Sequence, residues 1–145
     1  MHHSNIKKML MKRITFALAF FSLLMGLSAC ASHSVPKTGS LSHVGVEEFA
    51  EVLSNGENTL LLDVRTAGEY AEAHLRGALL IDVNSDTFQT AVRRLLPRGK
   101  TIAVYCRSGR RSFRAAELLQ KEGFKVVNLK GGILVWRQEG RLVEP

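Results

Sequence analysis

Cys106 closes the apolar, β-rich run Thr101-Ile102-Ala103-Val104-Tyr105 and opens the hexad Cys106-Arg107-Ser108-Gly109-Arg110-Arg111. A helical pattern follows at once, from Ser112 to about Glu122. A thiol in that setting is placed to work as a thiolate. The N–H groups of a tight turn can converge as a nest for an anion. The helix N-terminus adds partial positive charge. With arginines nearby, these effects favour a sulfur nucleophile near neutral pH.

The elements around the hexad must hold that sulfur at the end of a buried strand. Val46 to Leu53 reads as a short helix with acidic residues in its first turn, ended by Asn55-Gly56. Thr59 to Val64 is a continuous apolar strand apart from Asp63. Ala67 to Ala73 is a short helical stretch, and Gly77 separates it from a buried strand at Ala78 to Ile81. Phe88 to Leu96 has helical spacing and stops at the turn Pro97-Arg98-Gly99. In the helix after the hexad, Phe113, Ala116, Leu118 and Leu119 are the expected buried side. Lys125 to Leu129 is the last strand, and Gly131-Gly132 leads into a short helix around Trp136. Apolar strands alternating with helices predict a mainly parallel sheet covered on both faces, an α/β fold of three layers. Reactive sites in such folds lie at the carboxyl ends of the strands, where Cys106 stands.

The chain has 145 residues, enough for one domain with its own core, and a formal net charge of +7. Lys7, Lys8, Lys12 and Arg13 precede an apolar run from Ile14 to Leu27. That run is short for a membrane span and suits the apolar region of a signal peptide. Leu27-Ser28-Ala29-Cys30 resembles a bacterial lipobox, in which Cys30 takes the lipid and becomes the first mature residue. The expected organisation is therefore a signal peptide over 1–29, a flexible tether over 30–40, one domain over 41–140 and a C-terminal tail over 141–145. The protein would be exported and held at a membrane by its N-terminal lipid, facing the periplasm or the cell exterior. Ordinary cleavage to a soluble periplasmic form and an uncleaved anchor are the alternatives. Four of the twenty Lys and Arg lie within residues 1–29, which carry no acid; the remainder has 16 basic against 13 acidic residues, or +3. Much of the high pI thus belongs to the targeting segment, and nucleic acid is not an expected partner.

Cys30 and Cys106 are the two cysteines of the chain. With Cys30 lipidated, Cys106 has no disulfide partner, and a lone cysteine in an exported protein points to catalysis. The five histidines are scattered without zinc-ligand spacing, so neither a metal nor a cofactor is expected. Asp63 and Arg65 read as supporting residues, because a buried carboxylate needs a partner. His74 reads as a hydrogen-bonded structural histidine, Arg114 as part of a solvated face, and Trp136 as core with an indole N–H that needs an acceptor.

Three stretches carry a resemblance to the rhodanese family of sulfurtransferases. The first is Leu61-Leu62-Asp63-Val64-Arg65 with Glu69-Tyr70, His74 and Gly77-Ala78; the second is Val104 to Ser112; the third is Asn128-Leu129-Lys130-Gly131-Gly132 with Trp136. Their order and spacing cover about Leu41 to Gly140. The family often has Gly before the His74 position and Ile-Pro after it. Here Ala73, Leu75 and Arg76 stand there, and altered local geometry is expected.

The resemblance implies a rhodanese-like domain and a thiosulfate sulfurtransferase. The Cys106 thiolate would take the outer sulfur of thiosulfate or a similar donor as a persulfide and pass it to cyanide, a small thiol or an acceptor protein. Loop N–H groups from Arg107 through Ser108 and Gly109 to Arg111 would face the anionic sulfur. Gly109 would give the loop its backbone freedom. Arg107, Arg110 and Arg111 would clamp an oxyanion leaving group, with Arg111 the first choice for substrate discrimination. A persulfide carrier with little turnover of its own needs the same cysteine and is the alternative. A cysteine phosphatase or arsenate reductase fits less well. Such phosphatases typically carry His-Cys-x5-Arg, and here Tyr105 and Ser112 stand where the His and Arg belong.

Overall fold

The computed structural model describes residues 39–145. Residues 1–38, which include the expected signal peptide, Cys30 and most of the expected tether, lie outside the described residues. The chain runs β1 (Leu41–Val44), α1 (Val46–Ser54), β2 (Thr59–Asp63), α2 (Ala67–Glu72), β3 (Leu79–Leu80), α3 (Phe88–Leu95), β4 (Thr101–Tyr105), α4 (Arg110–Lys121), β5 (Lys125–Leu129) and α5 (Gly132–Gln138). The five strands form one parallel sheet in the order β1-β5-β4-β2-β3. β4 is central, flanked by β2 and β5, so the strand that delivers Cys106 is the one most enclosed by neighbours.

Alternate side chains of each strand feed two cores, as the period of two requires. Leu62, Ile102, Val104 and Val126 meet Phe88 and Val92 of α3 and Ala115, Ala116 and Leu119 of α4. Leu61, Ala103, Tyr105, Val127 and Leu129 meet Val46 and Phe49 of α1 and Ile133 and Trp136 of α5. This is the three-layer α/β architecture expected from the alternation of elements.

Four details differ from the expectation. β1 is an additional edge strand, paired with β5 from Leu41↔Val126 to Val44↔Leu129. Its four residues carry too little pattern to announce a strand; the open edge of β5 makes them one. Gly39 and Ser40, expected in the tether, also bond to the domain. Gly39 donates its N–H to the Gln120 carbonyl at 3.0 Å, and Ser40 accepts from the Val126 N–H at 2.8 Å. A Cβ at Gly39 would lie 1.8 Å from the Phe124 carbonyl oxygen, so only glycine fits this approach.

The third difference is in α4, which starts at Arg110 rather than Ser112. Its sheet-facing stripe is Ser112, Ala115, Ala116 and Leu119, at helical spacing. Phe113 falls beside that stripe and is 47 % exposed. Fourth, residues set apart as a tail strap back onto the domain. Leu142 accepts the Trp136 indole N–H at 3.0 Å. His74 and Glu144 exchange both backbone hydrogen bonds, at 2.7 and 2.9 Å. Arg76 pairs with the Glu144 carboxylate at 2.9 Å. The segment that departs from the family pattern, Ala73 to Arg76, is thus braced by the chain's own C-terminus.

Candidate active site

Cys106 is fully buried and follows the last residue of β4. Gly109 caps α4 with φ +91°, a left-handed conformation that favours glycine. That twist turns its N–H back onto the Cys106 Sγ, 3.2 Å away. Ser112 donates its hydroxyl to the Gly109 carbonyl at 3.1 Å and tightens the same turn.

The loop is also held from behind by the first turn of α5. Ile133 donates its N–H to the Cys106 carbonyl at 2.9 Å, and Leu134 donates to the Arg107 carbonyl at 3.2 Å. This requires two backbones in direct contact. A Cβ at Gly132 would lie 2.4 Å from the Cys106 carbonyl oxygen and 2.6 Å from that of Arg107. A Cβ at Gly109 would lie 3.0 Å from the Gly131 nitrogen. Gly132→Ala should therefore push the loop away, and its φ of +61° adds strain. The expected cost is about 2–4 kcal/mol, strain and overpacking together. Gly140→Ala meets φ +73° with nothing within 4 Å, so it should cost only the strain. Urea unfolding of the two variants separates the terms.

The arginines of the hexad are not equivalent. Arg107 and Arg110 are exposed and form no ion pair among the described residues, and Ser108 is exposed between them. Arg111 grips Glu69 of α2 through two parallel hydrogen bonds, Nη1 to Oε2 at 2.7 Å and Nη2 to Oε1 at 2.5 Å. Its guanidinium is held charged first by that hydrogen bond, with Glu69, Cys106 and Asp82 acting on it through their charges. Glu69 also closes a capping box with Thr66. Arg111 in turn, by its hydrogen bond, pulls the Glu69 carboxyl down to about 2.

Glu69 therefore has a pH window. Its folded value lies below the ordinary 4.5, so the pair contributes fully above about 4.5 and is lost as pH falls through about 2. Glu69→Gln should cost about 1 kcal/mol at neutral pH. That difference from the native chain should shrink in urea titrations between pH 4.5 and 2. The Thr66-x-x-Glu69 spacing is the local signal that announces this residue's position; its tie to Arg111, 42 positions away, has none.

Asp63 and Arg65 sit together at the end of β2. The Asp63 carboxylate is fully buried and accepts from the Arg65 Nε at 3.0 Å, its Nη2 at 2.6 Å and its backbone N–H at 2.9 Å. Burial pulls the Arg65 guanidinium down, and the Asp63 hydrogen bond and charge outweigh it, so it remains firmly protonated. Arg65 also reaches the Ala73 carbonyl at 2.7 Å and lies 5.6 Å from the Tyr105 ring centre. Burial, then Asp63, push the Tyr105 hydroxyl up, and it accepts the Leu75 N–H at 3.1 Å. These groups lock β2, β4 and the α2–β3 connection beneath the loop; none of their bonds goes to the hexad.

His74 is stacked on Tyr70 at 3.8 Å and bonds the Tyr70 carbonyl through Nδ1 at 3.1 Å. Arg114 spans to the loop before α3, donating to Asn84 Oδ1 at 2.9 Å and the Val83 carbonyl at 3.3 Å. No cluster of three or more metal-ligating side chains occurs among the described residues.

The family model for the rhodanese-like domain matches residues 46–139. The chain belongs to the rhodanese-like family. A sulfurtransferase of Allochromatium vinosum is 31% identical over 69% of this chain and 92% of its own length. A Bacillus subtilis candidate sulfur carrier protein, YrkF, is 32% identical over 72% of this chain and 55% of its own length. Among solved structures, a rhodanese-related protein of Thermoplasma volcanium superposes with a TM-score of 0.57 at 28% identity, covering 70% of this chain and 96% of that one. The rhodanese-like domain thus has sulfurtransferase relatives at modest identity, and it spans nearly all of the first relative but about half of the second.

Proposed function

We propose that this rhodanese-like protein is a thiosulfate-type sulfurtransferase working through a Cys106 persulfide. The observation that carries the reading is the Gly109 N–H aimed at the Cys106 Sγ at 3.2 Å, in a loop braced by the first turns of two helices. The thiolate attacks the outer sulfur of thiosulfate, the sulfur–sulfur bond of the donor breaks, and sulfite leaves with the electron pair. Arg107 and Arg110, exposed and outside any described ion pair, would receive the departing oxyanion. Arg111 is held by Glu69.

Intact-mass spectrometry after thiosulfate treatment should show one added sulfur atom, discharged by cyanide. Loading with discharge but no sustained turnover would favour the carrier reading, to which the name of the Bacillus subtilis relative lends weight. Phosphatase chemistry fits poorly, because Ser112, at the position of the phosphatase Arg, is buried and bonded back into the loop.

The same proposal includes export as a lipoprotein through Cys30, supported by the basic residues, apolar run and lipobox-like Leu27-Ser28-Ala29-Cys30. Cys30→Ser should move the protein from the membrane fraction to the soluble or unprocessed pool. Normal processing with unchanged membrane fractionation would sink it.

A further inference from the structure

Beside the Cys106 loop lies an open groove of about 350 Å³. One wall is the Phe113 ring lying flat against the His43 imidazole, with centres 4.6 Å apart and planes 11° apart. Gly109 belongs to both sites: its N–H meets the Cys106 Sγ, and its backbone lines the groove. Ser108 and Lys130 also line it, and Lys130 is exposed with no ion pair among the described residues.

Asn128 lines the same groove and is 2 % exposed. Its Nδ2 bonds His43 Nδ1 at 3.0 Å, while its Oδ1 has no hydrogen-bond partner. Among the described residues it is the one buried side-chain polar atom so left. A buried acceptor without a donor costs about 1–3 kcal/mol, and a ligand N–H removes that cost.

We propose that this groove binds the sulfur acceptor, and that the acceptor is an amino-acid or short-peptide thiol. Its carboxylate meets Lys130, its ammonium or amide N–H is drawn toward Asn128, and its stem lies on Phe113. Its sulfur then reaches the loop past Gly109. The volume sits near the lower end of the roughly 300–1,000 Å³ of small-molecule sites, so a small thiol fits it. The inference rests on the persulfide reading of Cys106. In the transfer, the acceptor thiolate attacks the outer sulfur of the persulfide. The Cys106 sulfur–sulfur bond breaks, its electron pair returns to Sγ, and the acceptor leaves as a persulfide. No oxidant or reductant is consumed.

The test uses the full chain and two probes that cannot accept sulfur, S-methylcysteinylglycine and its C-terminal amide. Calorimetry should show the acid binding more tightly than the amide. Lys130→Gln should weaken the acid about five- to tenfold and leave the amide within twofold, with Lys130→Arg restoring the difference. Lys100→Gln, at the other end of the sheet, should change neither. Equal affinity for the two probes, or an equal loss of both in Lys130→Gln, overturns the groove assignment. Binding needs no persulfide, so the two ideas fail separately. Lys130-dependent binding in a chain that never loads sulfur supports the groove and sinks the persulfide reading. Sulfur loading without Lys130-dependent binding does the reverse.

Discussion

Cys106→Ser should abolish sulfur loading from thiosulfate and reduce cyanide-dependent thiocyanate formation by at least about 10³-fold, the scale on which removal of a nucleophile acts. The exchange is close to isosteric. Serine keeps the buried position and can still accept the Gly109 N–H that now reaches Sγ. Its hydroxyl is not ionised near neutral pH and cannot hold a sulfane sulfur as a persulfide. The urea midpoint should therefore stay near that of the native chain while activity disappears. Retained loading, read by intact mass, would place the chemistry elsewhere. Loss of both folding and loading would be resolved by Cys106→Ala, which leaves no group for sulfur and no buried hydroxyl to satisfy.

Asp63→Ala should have the largest effect on stability, about 3–5 kcal/mol, because it strands a buried cation. Arg65 is 4 % exposed, and Asp63 supplies most of its hydrogen bonds. The Ala73 carbonyl alone cannot replace them. A typical domain has about 5–15 kcal/mol to lose, so this variant should be largely unfolded at modest urea. Removing both charges tests the cause. Asp63→Ala combined with Arg65→Met should recover part of the loss, since the desolvation of the guanidinium goes with it. A single-variant cost below about 1 kcal/mol is the value of an exposed pair and would contradict the burial.

The groove and the double bracing of the loop share one feature: each joins residues distant in the chain. Local signals served well where burial is continuous. β4 and β5 begin and end at the residues expected from their apolar runs, Thr101 to Tyr105 and Lys125 to Leu129. Asp63, Trp136 and His74 found the kinds of partner their chemistry demands, because a buried polar group must be satisfied whatever the fold. Phe113 shows the limit. Helical periodicity offers more than one apolar face, and the sheet took the one through Ala115 and Ala116.

From the sequence alone came the order of elements after β1, the three-layer α/β class, the family resemblance and the position of Cys106 at a strand end. These depend on patterning within a few residues, where backbone periodicity and turn chemistry act directly. The tertiary structure alone decided that Glu69 takes the fork of Arg111, and that Gly132 lets α5 touch the Cys106 loop. It alone decided that Phe113 faces a groove and that Glu144 braces His74 and Arg76. Those contacts are set by sheet register and by how helices settle on it. Such packing is a property of the whole assembled core and leaves no trace in any one stretch of chain.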